Sequence, residues 1–357
     1  GMKRMLIMVL MVSGVIGCAH LAGDTPPAEE PTCKREHLAT PEPGTCMDPM
    51  AYRLLVKLNE IMDQPEEERP NERLIRLFEP SVKKTIDTTI QKNGLHIPMR
   101  IYYPDRKSLR EKRPIIVFIH GGGFISGSID DYDLVVKKLA RKTDAIIVSV
   151  GYRLAPDYPF PAGFNDAYTA FLWVSKHAGE IGGDANAICI MGDSAGGNLA
   201  AAVALKAKQE GGPPIACQVL YYPSVTFVDE SFPSRDYFAR QEMEEGVSFM
   251  LTEELLYRIK NAYMGEMDDE THPYLSPLEA SLDQPLPPAL IFTAQCDPLR
   301  DEGRAYATRL SESGTSTRHV EYDGMIHGFL SFYMILKEGR EAMNLTSGFI
   351  ESHTHFD

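Results

Sequence analysis

Four stretches of this chain carry the residue types that acyl transfer requires. Such chemistry needs a nucleophile, a base to take its proton, a group that orients the base, and N–H donors for the oxyanion that forms. Ser194 sits in Gly192-Asp193-Ser194-Ala195-Gly196, the Gly-x-Ser-x-Gly pattern of a nucleophile elbow. An apolar, strand-like run at residues 187–191 precedes it and an alanine-rich helical stretch at 198–208 follows. A serine on so sharp a strand-to-helix turn is held in a sparsely populated backbone conformation. The glycines two residues to either side keep side chains out of the bend. The helix beginning there aims unpaired N–H groups and its positive dipole end at the reaction centre. A chance glycine-serine turn is the bland alternative, and the agreement of three further stretches weighs against it.

The base is selected from ten histidines by position. His327 lies in a loop just past the last strand-like segment, in Gly324-Met325-Ile326-His327-Gly328-Phe329, and active-site loops in such sheets gather at the carboxyl edge. His319 falls inside that strand and reads as structural, while His353 and His355 read as a tail. Asp297 follows another strand, in Asp297-Pro298-Leu299-Arg300-Asp301-Glu302-Gly303, and supplies the orienting carboxylate. A helix cap is its competing role, which Asp301 fits better because it directly precedes the helical pattern. His120-Gly121-Gly122-Gly123-Phe124 follows a core strand, and consecutive glycines let backbone N–H groups approach a substrate oxygen. Gly122, Gly123 and Ala195 are the candidate oxyanion donors, with His120 bracing the loop. A phosphate loop would need the lysine and Ser/Thr of a Walker motif, which do not follow.

Strand-helix alternation must position these groups. Residues 84–91 and 95–103 alternate in polarity around Asn93-Gly94 and predict a hairpin. Residues 115–119 form a continuous apolar run, as in a strand covered on both faces. Helix and strand then alternate: helix 132–142, strand 145–150, helix 164–178, the elbow, strand 216–221, strand 289–294, helix 302–313, strand 317–322 and helix 337–350. That order predicts a mostly parallel sheet between helices. Residues 231–272 break the rhythm, with helical segments at 242–249 and 252–263 and no strand, and read as a lid inserted into the core. Tyr52, Leu54, Leu55, Leu58, Ile61 and Met62 recur at helical spacing behind an Asp48-Pro49 start, and 71–78 predicts a second short helix.

A chain of 357 residues with 43% hydrophobic content can bury a substantial core. Its net charge of −14 argues against nucleic acid as a partner. Glu66-Glu67-Glu68 and the 242–245 glutamates read as solvated faces. Lys3-Arg4 precede an apolar run to Gly17 broken only by Ser13, the layout of a secretory signal and too short to span a membrane. Val15-Ile16-Gly17-Cys18 is similar to a bacterial lipobox, so residues 1–17 are expected as a signal peptide and Cys18 as the lipidated residue. Ordinary signal-peptidase cleavage lacks an Ala-x-Ala site nearby, and a buried N-terminal helix is the remaining alternative. The proline-rich stretch 18–48 is expected to tether the domain to a membrane, facing the periplasm or cell exterior. Cys33 and Cys46 are open to disulfide formation in that compartment. Cys189, Cys217 and Cys296 read as buried thiols, and no Cys or His spacing suggests zinc.

Together with Tyr152-Arg153-Leu154-Ala155-Pro156 and Pro159-Phe160-Pro161-Ala162, the motifs around His120, Ser194, Asp297 and His327 resemble the hormone-sensitive lipase family of α/β-hydrolases over roughly residues 49–350. The resemblance implies an α/β-hydrolase core at 83–230 and 273–357, with a helical cap built from 49–82 and 231–272. It also implies a carboxylesterase acting on short to medium acyl chains without a cofactor. The order Ser194, Asp297, His327 agrees with that family. Asp157 in place of the usual glutamate, with Gln295 and Cys296, departs from it locally. Tyr152 and Arg153 read as braces of the sheet edge, or as partners of a carboxylate such as Asp166. Phe124, Tyr222, Phe227, Ile326 and Phe329 are candidate pocket walls, with cap packing the alternative for each. An amidase or deacetylase, a long-chain lipase and a non-catalytic ligand-binding relative are the rival functions. The oligomeric state is left open.

Overall fold

The computed structural model describes residues 47–62, 79–92, 94–105, 112–228, 232–240, 246 and 250–354. The signal segment, Cys18, the tether, Cys33, Cys46, the short helix 71–78 and nearly all of 242–249 lie outside the described residues.

Apolar runs become strands buried on both faces. In β3 (Arg113–Ile119), Ile115, Val117 and Ile119 enter one hydrophobic cluster while Ile116 and Phe118 enter the other, the two-residue period of a pleat. β4 (Ile146–Val150) divides in the same way, with Ile146, Val148 and Val150 opposite Ile147. Two further strands extend the sheet on that side. β1 (Val82–Lys92) and β2 (Leu95–Pro104) form the predicted hairpin, and β2 pairs antiparallel with β4. On the other side of β3 come β5 (Gly183–Asp193), β6 (Cys217–Tyr221), β7 (Ala289–Cys296) and β8 (Thr317–Ile326), all parallel. Among the described residues the order is β1-β2-β4-β3-β5-β6-β7-β8, an eight-stranded, mostly parallel sheet.

Helices cover both faces. Two of them, α3 (Ala162–His177) and α4 (Ala195–Gln209), fill one side through Phe164, Phe171, Leu199 and Val203. α2 (Asp133–Thr143) and α8 (Lys337–Thr354) fill the other through Val135, Leu139, Ala342 and Ile350. A further helix, α1 (Pro49–Met62), adds Leu54, Leu55 and Leu58 to the second cluster. Its Asp48 Oδ1 accepts the Met50 N–H at 2.8 Å and the Ala51 N–H at 3.1 Å, the N-cap that Asp48-Pro49 predicts.

Several boundaries differ from expectation. α8 runs to Thr354, and His353 Nδ1 bonds the Phe349 carbonyl at 2.8 Å, so His353 belongs to a helix rather than a tail. Between β6 and β7 lie α5 (Pro233–Arg240) and α6 (Glu253–Met264). α5 is a helix that the sequence reading does not place, with Pro233 at its first turn the signal that marks it, and α6 falls on the predicted segment at 252–263. α7 (Arg300–Glu312) starts two residues before the predicted helix. Asp301 therefore sits in its first turn and does not cap it.

Candidate active site

Ser194 leaves β5 at φ 54° and ψ −120°, a strained conformation for a residue with a side chain. Its N–H donates to the Tyr221 carbonyl at 2.9 Å and its own carbonyl accepts from Asn198 at 3.1 Å, which anchor the turn on both sides. A Cβ at Gly192 would collide with the Gly196 carbonyl, and one at Gly196 with the Ile119 carbonyl. Backbone approaches backbone here, so neither position tolerates a side chain.

β7 and β8 deliver the other two groups. The structure brings Ser194, His327 and Asp297 into one connected chain. His327 Nε2 lies 2.9 Å from Ser194 Oγ, and Nδ1 lies 2.7 Å from Asp297 Oδ2. With the Nδ1 proton directed at the carboxylate, Nε2 is left to accept from the hydroxyl. Asp297 is fully buried, and its Oδ1 accepts the Leu299 N–H at 2.8 Å. β8 extends to Ile326, four residues past its predicted end, so His327 follows the strand directly. A break in the β7–β8 register makes this possible. Gln295 Oε1 bridges that break by accepting the Gly324 N–H at 2.7 Å.

The loop after β3 turns back on itself through Gly122 at φ 119°, Gly123 at φ 62° and Phe124 at φ 61°. Ser126 Oγ holds the Gly122 carbonyl at 2.6 Å. His120 is buried. Its Nδ1 bonds the Gly121 carbonyl at 2.8 Å, and its ring stacks on Tyr152 at 4.4 Å, while the Tyr152 hydroxyl donates to the His120 carbonyl at 3.0 Å. Burial pushes its imidazole down to about 4. A neutral ring held at Nδ1 and stacked on Tyr152 braces the loop, as the sequence reading has it. Asp193 is a group that reading gave no role, although it sits inside the elbow motif. Its Oδ1 accepts the Gly121 N–H at 2.9 Å and its Oδ2 the Tyr132 hydroxyl at 2.9 Å. Burial pushes its carboxyl up to about 6 against the pull of these two donors.

The remaining expected residues divide. Arg153 Nε and Nη2 grip Asp166 at 2.8 Å each, so this residue is a brace. His319 Nε2 meets Thr293 Oγ1 at 2.8 Å, a structural contact between strands. Tyr222 lies edge-on to the His327 ring at 4.8 Å. Phe124 stacks on Tyr263 of α6 at 3.8 Å, with Phe227 5.7 Å from each. Ile326 and Phe329, expected as pocket walls, are instead fully enclosed in the core cluster that Tyr222 and Tyr322 share. Ile326 is the last residue of the edge strand β8 and Phe329 opens the short 3-10 turn after it, and both side chains fold inward.

The insertion reaches the site at α6. Ile259 packs so closely on the glycine loop after β3 that a Cβ at Gly123 would lie 2.6 Å from its Cδ1. At the other helix, α5 is fastened to α7. The Ser234 N–H donates to Asp301 Oδ2 at 2.8 Å, the Asp301 N–H donates to Ser234 Oγ at 3.1 Å, and Arg235 pairs with the fully buried Glu302. Glu302 also accepts the Val225 N–H at 2.8 Å. Neither this pairing nor the position of Ile259 leaves a periodic signal in the sequence.

Residues 116–331 match the family model described as the alpha/beta hydrolase fold. The carboxylesterase NlhH of Mycobacterium tuberculosis is 38% identical over 261 residues, covering 72% of this chain and 78% of that protein. A hyperthermophilic esterase from the archaeon Pyrobaculum calidifontis superposes with a TM-score of 0.77 at 37% identity, covering 86% of this chain and 98% of that one. EstE1, a thermostable carboxylesterase cloned from a metagenomic library, gives 0.74 at 38% identity, with 79% and 93% covered. On its sheet order, its elbow and these likenesses, the chain belongs to the α/β-hydrolases, in their hormone-sensitive lipase branch.

Proposed function

We propose that this protein is a serine carboxylesterase in which Ser194 is the nucleophile, His327 the general base and acid, and Asp297 the group that holds the imidazole tautomer. The observation that carries the reading is the unbroken path from Ser194 Oγ through His327 to Asp297, at 2.9 and 2.7 Å. His327 Nε2 takes the hydroxyl proton as Oγ attacks the ester carbonyl. Asp297 stabilises the resulting imidazolium without itself accepting the proton. The tetrahedral oxyanion is received by the N–H groups of Gly122, Gly123 and Ala195, one such donor being worth about 3–4 kcal/mol of transition-state stabilisation. Collapse breaks the acyl–oxygen bond, and His327 returns its proton to the departing alcohol. A water molecule, deprotonated by the same imidazole, then attacks the acyl-enzyme and releases the carboxylic acid. Nothing in this sequence requires a cofactor.

Short to medium acyl groups are the assigned substrates, with 49–82 and 231–272 forming a cap over the site. Ser194→Ala should abolish hydrolysis of p-nitrophenyl butyrate, and a fluorophosphonate probe should label wild type at Ser194. Turnover retained by the variant would overturn the assignment.

The N-terminal sequence supports a further placement. The charged start, the short apolar run and the Cys18 motif are those of an exported lipoprotein held on a bacterial membrane and facing the periplasm or exterior. Two or more acyl chains on one residue give stable anchoring where a single chain does not. A Cys18→Ser variant should leave the membrane fraction for the soluble one, and a variant that stays membrane-bound would refute the anchor.

A further inference from the structure

The glycine loop after β3 is held from two directions. The core fastens its first half, where Asp193 Oδ1 accepts the Gly121 N–H at 2.9 Å and Ser126 Oγ donates to the Gly122 carbonyl at 2.6 Å. Its second half meets the insertion. Ile259 and Tyr263 are four residues apart on α6 and so share one helix face. That face covers two consecutive loop residues. Ile259 abuts Gly123, a proposed oxyanion donor, and the Tyr263 ring lies face to face with Phe124 at 3.8 Å and an angle of 10°.

Phe124 needs that support. Its φ of 61° is strained for a residue with a side chain, and such a conformation persists only where the surroundings hold it. The Phe124 carbonyl accepts the Ala155 N–H at 2.9 Å, which fixes the backbone at one point. The ring is fixed by Tyr263, with Phe227 5.7 Å from both. Tyr263 is itself anchored to the core. Its carbonyl accepts the Phe160 N–H at 2.7 Å, its ring lies edge-on to Phe160 at 5.9 Å, and Gly265 just beyond it sits against Pro159 with no room for a Cβ. The Tyr263 hydroxyl is buried yet has no hydrogen-bond partner among the described residues, so what it gives the loop comes from the ring face. Resting on the esterase reading above, we propose that Tyr263 and Ile259 are positioning residues: α6 fixes where the Gly122 and Gly123 N–H groups point, so the insertion acts on the transition state and not only on access to the site. Donors aimed in advance at the developing charge stabilise it because no reorganisation is needed during reaction.

The test is kcat and KM on p-nitrophenyl acetate for the full chain and three variants. Tyr263→Leu keeps an apolar helix former but removes the flat face. Its kcat should fall about tenfold or more while KM stays within about threefold, because displaced donors fail the transition state rather than the bound substrate. Tyr263→Phe retains the face and should bring kcat back to within about twofold of wild type. Ile259→Ala should lower kcat about threefold or more, again at nearly constant KM. A folded Tyr263→Leu protein with wild-type kcat, whatever its KM, would overturn the proposal. So would a Tyr263→Phe protein as impaired as Tyr263→Leu, since the hydroxyl would then carry the effect. Should Tyr263→Leu fail to fold, Ile259→Ala decides, and wild-type kcat there ends the proposal. Absence of hydrolysis by the wild type would instead remove the esterase reading itself, so the two failures are distinct.

Discussion

Asp193 Oδ1 accepts the Gly121 N–H at 2.9 Å, a bond across 72 residues that ties the Ser194 turn to the loop bearing the proposed oxyanion donors. The carboxylate's second oxygen takes the Tyr132 hydroxyl, so one buried group sets the spacing between Ser194 and Gly122–Gly123. Asp193→Asn keeps the size and one acceptor but weakens both bonds. Its kcat should fall about tenfold or more, with KM little changed, since the loop acts in the transition state. A variant with raised KM and normal kcat would contradict this.

The same residue predicts a pH dependence of stability. Burial holds the folded carboxyl at about 6, above its ordinary value of 3.8. A raised carboxyl pKa favours the fold while the group is protonated. That contribution is complete below pH 4 and is lost as pH rises through about 6. The difference corresponds to about 3 kcal/mol at most. Denaturant titrations should show wild type losing stability between pH 4 and 6 relative to Asp193→Asn, and parallel curves would refute the coupling.

Glu302 is fully buried and its carboxyl is raised by that burial, opposed by Arg235 and the Val225 N–H. Arg235→Met leaves the carboxyl buried with less compensation and raises it further. The loss, about 1–3 kcal/mol given that Arg235 is partly exposed, should therefore be larger at pH 8 than at pH 5. Thermal unfolding at the two pH values measures it, and equal losses would mean the pair contributes nothing electrostatic.

Gly196→Ala would drive a methyl group into the Ile119 carbonyl. Two backbones meet there with no flexible side chain to yield, so destabilisation should reach or exceed the upper end of the usual 1–3 kcal/mol for overpacking. Loss of soluble protein or a large fall in Tm is expected. A variant of wild-type Tm would show that the elbow can relax.

Asp297→Asn should preserve the fold while permitting the wrong imidazole tautomer, and kcat should drop by about 10⁴. Steady-state kinetics on p-nitrophenyl acetate are the check. A loss under tenfold would leave Asp297 as only the partner of the Leu299 N–H.

What was legible beforehand was local or periodic. Glycines around Ser194, three glycines after an apolar strand, and an aspartate and a histidine each trailing a strand are features of short windows. Their order along the chain agrees with a parallel sheet whose carboxyl edge collects loops. The continuous apolar run 115–119 reads as a doubly covered strand because a pleat sends successive side chains to opposite faces and both faces here are apolar. Pocket walls were harder. Ile326 and Phe329 flank His327 at the end of an edge strand, as wall residues would, yet the pleat and a 3-10 turn fold them into the core. Asp193 meeting Gly121, Ile259 resting on Gly123, and Arg235 reaching Glu302 join segments 67 to 136 residues apart. Such contacts depend on how helices settle on a finished sheet, and no spacing along the chain encodes that. The residue types and their order determined which chemistry this protein could perform. Tertiary packing alone decided the distances and the burial, because these arise from groups that only folding brings together.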